Sequence, residues 1–169
     1  MQKKTVALTG SSGTMGWAGF KELYAKKDKF NIVVLNRDSK KNRDKFADYV
    51  NDPAVKLVWG DLTNYDDVLE MVNGADYVLH VGGMVSPAAD YYPVKTQKTN
   101  VTAAQNIVNA IKAQPDPDAV KVVYIGTVAE TGDRNPPIHW ARTGDPLKVS
   151  VYDHYAISKV KAEAVFAES

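Results

Sequence analysis

Tyr155 and Lys159 stand four residues apart, so on a helix they share one face and bring a phenol beside an ammonium. Such a pair can move a proton. A free tyrosine ionises near pH ~10, too high for a base at neutrality, but a nearby positive charge favours the phenolate and lowers that value. Thr127, at the end of an apolar run, adds a hydroxyl. Taken alone, this spacing more often marks an amphipathic core tyrosine and a solvated lysine, so its meaning depends on what else the chain carries.

A second chemical signal lies near the start. Gly10, Gly13 and Gly16 recur in Thr9-Gly10-Ser11-Ser12-Gly13-Thr14-Met15-Gly16, after the apolar run Thr5 to Leu8 and before Phe20, Leu23 and Tyr24 at helical spacing. Strand, tight loop and helix is the order a dinucleotide site requires. Gly10 permits the sharp turn, Gly13 lets the backbone approach a pyrophosphate, and Gly16 lets the helix pack close to the strand, with the helix N-terminus offering N–H groups to the anion. A glycine-rich turn that binds nothing has the same pattern.

Phe30 to Leu35 is a second apolar run, ending at Asn36-Arg37, twenty residues beyond Gly16 and where ribose recognition is expected. An acidic residue there would accept hydrogen bonds from the adenosine ribose and repel a 2′-phosphate. Neutral Asn36 followed by Arg37, with Lys40, Lys41 and Arg43 nearby, predicts NADP in preference to NAD. Alternatively, the basic cluster is the solvated start of a surface helix.

The remaining elements must position these groups. Val55, Leu57 and Trp59 mark a short third strand ending at Gly60-Asp61-Leu62. Thr63 is expected to cap a helix with Asp66 as its capping-box acid and Val68, Met71 and Val72 buried. Ala75 to Val81 reads as a fourth strand running into Gly82-Gly83, where a backbone can approach a ligand closely. A single long helix is expected from about Ala88 to Ala113, carrying Asn100. Val120 to Ile125 makes a fifth strand closing at Gly126-Thr127, and Gly132 to Val149, rich in proline, is mostly loop. The last helix begins near Asp153. Strands alternating with helices predict an α/β fold of the Rossmann type, a doubly wound parallel sheet of strand order 3-2-1-4-5 with helices on both faces. Gly10, Asn36, Asp61, Gly82 and Thr127 then all fall at carboxyl ends of strands, where such sheets bind ligands.

Composition bounds the rest. At 169 residues, 44% hydrophobic and 24% charged, the chain fits one domain spanning residues 1–169. The formal charge of +1 gives no overall bias toward nucleic acid or acidic lipid. The absence of cysteine excludes disulfides and thiolate chemistry, and no apolar run approaches the roughly 20 residues of a membrane span. A cytoplasmic protein without membrane or nucleic-acid partners is the simplest expectation. His139 and His154 have no companions at metal or triad spacing, so no metal is expected.

Together these motifs resemble the extended short-chain dehydrogenase/reductase family of NAD(P)-dependent epimerases, dehydratases and reductases, over nearly the whole chain. The resemblance rests on Thr9 to Gly16 for the pyrophosphate, with Ser12, Thr14 and Met15 inside the loop, and on Asp61-Leu62 for the adenine. His80-Val81-Gly82-Gly83 would lie beside the cofactor, with Asn100, Thr127, Tyr155 and Lys159 completing the set. It implies Tyr155 as the acid/base, Lys159 as the group that lowers its pKa and binds the nicotinamide ribose, Thr127 as a hydrogen-bond partner of the substrate oxygen, and Asn100 as holder of the helix and of a proton-relay water. Hydride would pass between the nicotinamide of NADP or NAD and a carbonyl or alcohol carbon of a small-molecule substrate. Gly82-Gly83 replaces the family's usual alanines, and Gly126-Thr127 a serine pair. The family continues into a C-terminal substrate-binding region, so the chain is expected to be an N-terminal fragment; a homodimer through the fourth and active-site helices is a further implication. A non-catalytic dinucleotide-binding sensor is the alternative, against which Tyr155, Lys159 and Thr127 count.

Overall fold

Five apolar runs closed by turn residues form one parallel sheet in the computed structural model, which describes residues 3–132, 144 and 146–169. Packing divides the chain into two units, residues 1–82 with 106–125 and residues 83–105 with 126–169. The sheet belongs wholly to the first. Its strands are β1 (Lys4–Thr9), β2 (Phe30–Asn36), β3 (Val55–Trp59), β4 (Tyr77–His80) and β5 (Lys121–Tyr124), in the order β3-β2-β1-β4-β5. All four pairings are parallel, with Leu8 beside Val34 on one side and Leu79 on the other. The expected fold class and strand order are those observed.

Period-2 alternation in the strands fixes what each face buries. Leu8, Ile32, Val34 and Val55 form one core with Phe20 of α1 (Thr14–Tyr24) and Phe46, which follows α2 (Lys40–Lys45). Trp17, Tyr24 and Tyr49 ring that core in edge-to-face and stacked pairs, Phe20 and Tyr49 at 4.8 Å between centroids. Full burial of a side chain such as Phe20 contributes about 1.5–3 kcal/mol. Val68, Met71 and Val72 of α3 (Tyr65–Val72) are buried as expected, and α3 packs on β2 and β3.

The second unit holds α4 (Ala88–Tyr91), α5 (Pro93–Lys112) as far as Gln105, a 3₁₀ turn (Val128–Thr131) and α6 (His154–Ala167). The single long helix expected from Ala88 is therefore two. Tyr92, at φ −131° and ψ 60°, leaves the helical region because proline at 93 disfavours it, and Pro93 then starts the next helix without needing its N–H. The expected cap of α3 is also displaced by one residue. Asn64, not Thr63, accepts the N–H groups of Asp66 and Asp67, while Thr63 turns its own N–H and hydroxyl to Asp61. Asp67, in the first turn of α3, also takes the N–H of Asp61 on its carboxylate at 2.8 Å. The fourth strand omits Ala75, Asp76 and Val81, and the fifth omits Val120 and Ile125. At Asp153 the expected cap is present, its carboxylate accepting the N–H of Ala156 at 2.8 Å. The loop from Pro137 to Pro146, with His139 and Trp140, lies almost wholly outside the described residues.

Candidate active site

In the first unit, β1 ends in the glycine loop and α1 begins beyond it. Gly10 has φ +73°, and a Cβ there would stand 2.7 Å from the backbone of Gly82, which follows β4. The two strands thus meet at the point where the strand order reverses, the position at which open parallel sheets bind ligands. A Cβ on Gly16 would run into the carbonyl of Gly10, so only glycine lets α1 start this close to β1. Gly13, at the N-cap of α1, brings no side-chain cap, and no acidic residue occupies the first turn. The first N–H groups of α1, at Thr14, Met15 and Gly16, thus meet no side-chain cap, the arrangement in which a helix start can take an anion. Gly13, Thr14 and Met15 are exposed and Ser12 half-buried.

Beside this loop the end of β2 is polar and buried. Ser11 donates its hydroxyl to Oδ1 of Asn36 at 3.0 Å, and Nδ2 of Asn36 is buried with no hydrogen-bond partner. Arg37 is exposed. The basic cluster does begin a surface helix, capped by Ser39, and within it Lys40 and Lys41 are exposed. Arg43 is engaged, paired with Asp38 and lying 4.7 Å from the Trp59 ring centre. Lys45 went unnoticed in the sequence. Its ammonium donates to the carbonyl of Ser12 at 2.9 Å and lies 4.3 Å from the ring centre of Trp17, with burial and then Lys41 and Lys21 depressing its pKa.

At the other strand ends, Asp61 is half-buried and its Oδ1 accepts both groups of Thr63, while the carbonyl of Leu62 takes Nδ2 of Asn106. His80 is buried, with Nδ1 2.8 Å from the hydroxyl of Thr9, which also accepts the N–H of Gly82. Val81 and Gly82 are half-buried. The close glycine cradle and the unpaired Nδ2 of Asn36 fit a dinucleotide whose pyrophosphate lies on α1 and whose ribose reaches β2.

In the second unit, α6 carries Tyr155 and Lys159 one turn apart, the first half-buried and the second 9% exposed. Burial depresses the Lys159 pKa to about 8, against the opposing pull of Glu130 and Glu163. Thr127 caps the 3₁₀ turn, its hydroxyl taking the N–H of Ala129 while its own N–H donates to Oε2 of Glu130 at 3.1 Å. Asn100 ties α5 to two other segments. Its Oδ1 accepts the N–H of Met84 at 2.7 Å, and its Nδ2 donates to the Met84 carbonyl at 3.0 Å and to the Ser158 hydroxyl at 2.8 Å. Gly83, preceding Met84, is exposed, and a Cβ there would lie 3.0 Å from Oδ1 of Asn100. Ser158 and Glu130 are the members that sequence reasoning missed. A Thr-x-x-Glu capping-box pattern was the available signal for Glu130; Ser158 had none. Among the described residues no cluster suited to a metal ion occurs, and no helix is long and apolar enough to cross a membrane.

A family model described as the NAD dependent epimerase/dehydratase family matches residues 6–168. UDP-glucose 4-epimerase of Rickettsia bellii (strain RML369-C) is 32% identical over 128 residues, which is 73% of this chain and 36% of that protein. Among solved structures, the UDP-Glc/GlcNAc 4-epimerase of Campylobacter jejuni superposes with a TM-score of 0.79 at 20% identity, over 98% of this chain and 48% of that one. WbmH of Bordetella bronchiseptica, in complex with NAD+, gives a TM-score of 0.76 at 23% identity, over 99% and 52%. The chain thus spans about a third of its curated relatives' length and about half that of the solved structures.

Proposed function

This chain belongs to the NAD dependent epimerase/dehydratase family, and on that premise we propose that it binds a nicotinamide dinucleotide and carries the acid/base machinery for redox chemistry on a sugar nucleotide. The observation that carries this reading is the burial of Lys159 one helical turn from Tyr155. Holding an ammonium at 9% exposure is costly, and a buried charge beside a phenol is characteristic of groups whose pKa is tuned for work. The bound dinucleotide would supply or take the hydride. Tyr155 exchanges the proton on the substrate oxygen, the Lys159 ammonium lies one helical turn along the same face, and the Thr127 hydroxyl orients that oxygen. Asn100 anchors α6 and the Gly83-Met84 segment around them.

The substrate class is supported by the relatives named UDP-glucose 4-epimerase. For the dinucleotide, the family description and the NAD+ complex of WbmH support NAD. The neutral Asn36 and exposed Arg37 support acceptance of NADP as well, because a guanidinium there would pair with a 2′-phosphate and no carboxylate repels it.

Isothermal titration of NAD and NADP into the purified chain, followed by mixing the loaded protein with a UDP-hexose and recording nicotinamide reduction, tests this reading. Binding of a dinucleotide is expected, with Tyr155→Phe sparing affinity and slowing reduction by about 100-fold or more. Absence of dinucleotide binding, or an undiminished rate in Tyr155→Phe, overturns it.

A further inference from the structure

Among the described residues Glu130 is the only buried carboxylic acid and Lys159 the only buried lysine, and both lie in the second unit. Glu130 is 4% exposed. One carboxyl oxygen accepts the N–H of Thr127, and the other, Oε1, is buried with no hydrogen-bond partner. A second carboxyl comes from Glu163, one turn beyond Lys159 on α6, and its Oε2, like that of Glu130, lies beside Gly126.

The residue that makes room for both is Gly126. A Cβ at that position would stand 2.9 Å from Oε2 of Glu130 and 3.6 Å from Oε2 of Glu163. The first of the two serines expected by family resemblance is replaced here by glycine, and a carboxyl occupies the space its side chain would need. Two carboxylates this close in a buried setting cannot both ionise cheaply, and a carboxylate has no proton to offer its neighbour. One retained proton resolves both difficulties.

We propose that Glu130 and Glu163 form a carboxyl pair holding a single proton, seated in the space left by Gly126, and that this pair positions Lys159 and the Thr127 turn. The link to catalysis rests on the reading of Tyr155 and Lys159 above. Burial first, and then Glu163, raise the proton affinity of Glu130, while the Thr127 N–H and Lys159 oppose this. Among the described residues the charged groups that act on the pair are Lys159 and its own two members, from α6 and the 3₁₀ turn; Lys148, whose backbone N–H reaches the Glu130 carbonyl, has an exposed side chain.

The test is an NMR titration of lysine side chains in the 169-residue chain, comparing Glu130→Gln, Glu163→Gln and the double variant. Glutamine preserves size and still accepts the Thr127 N–H. If one proton is shared, each single variant leaves one negative charge beside Lys159, as the native pair does. The Lys159 midpoint then stays near about 8 in both singles and falls by about one pH unit only in the double. Stepwise, additive falls in the singles overturn the shared proton, and an unmoved midpoint in the double overturns the positioning of Lys159. Should the double variant fail to fold, denaturation of Gly126→Ala in the native and Glu130→Ala backgrounds decides the seating. A loss of stability that Glu130→Ala relieves supports it, and strict additivity overturns it. None of these readouts requires dinucleotide or turnover, so a failure of the proposed function would leave them unchanged.

Discussion

Arg43 closes on Asp38 with two parallel hydrogen bonds, Nε to Oδ1 at 2.6 Å and Nη2 to Oδ2 at 2.8 Å. The carboxylate satisfies the fork of the guanidinium and is itself held below the usual carboxylate range by it. Of the two arginines that follow β2, Arg37 and Arg43, Arg37 is therefore the one proposed to meet a 2′-phosphate. Arg37→Ala is expected to weaken NADP by about 10- to 100-fold relative to NAD, corresponding to the loss of one charge-assisted contact of about 1.5–3 kcal/mol. Arg43→Ala should change that ratio far less. Titration of both dinucleotides into each variant checks the pair.

Asn36 supports a second prediction. Its Oδ1 takes the Ser11 hydroxyl while its Nδ2 has no partner. In Asn36→Asp a buried carboxylate keeps the first bond and leaves the second oxygen without a donor until a ribose hydroxyl arrives. The free variant should lose about 1–3 kcal/mol of stability, and NAD should restore more of it than NADP does. Thermal melts with and without each dinucleotide measure this.

Asn100→Ala removes three hydrogen bonds and strands the Met84 N–H, while the Ser158 hydroxyl keeps only its bond to the Tyr155 carbonyl. Its expected cost is about 2–4 kcal/mol in a denaturant melt. Asn100→Asp is a sharper probe, because it keeps the acceptor of the Met84 N–H but loses both donors.

Lys159 makes stability depend on pH in a defined sense. Its folded pKa of about 8 lies below that of a free lysine, so its contribution is fully present above the unfolded value and is lost as pH falls through about 8. Lys159→Met is expected to stabilise the protein at pH 7 by about 1–3 kcal/mol, with the gain shrinking as pH rises to the lysine range. Melts across that interval check both the sign and the window.

Much of the architecture was legible because its signals are local. Apolar runs of strand length, closed by Gly10, Gly60 and Gly82, give a parallel sheet, and right-handed crossovers give its order. The break at Tyr92 was missed because the apolar period continues through it, and the backbone restriction imposed by Pro93 outweighs that period. At α3 a threonine and an asparagine in succession could each cap, and tertiary placement chose Asn64. The deepest polar features were the least legible. Nothing in the sequence distinguishes Lys45, which reaches the Ser12 carbonyl, from the other lysines of its cluster. Likewise Glu130 carries a visible capping pattern, but its burial beside Lys159 depends on where α6 comes to lie within its unit.

Lys45 also gives the molecule an optical consequence. Its ammonium touches the glycine loop at Ser12 and rests over the indole of Trp17 on α1. An anion taken up by that loop would draw on the same positive charge, altering the field across the ring. Trp17 is therefore an intrinsic fluorophore tied to that loop through Lys45, and its emission is expected to shift when an anion binds there.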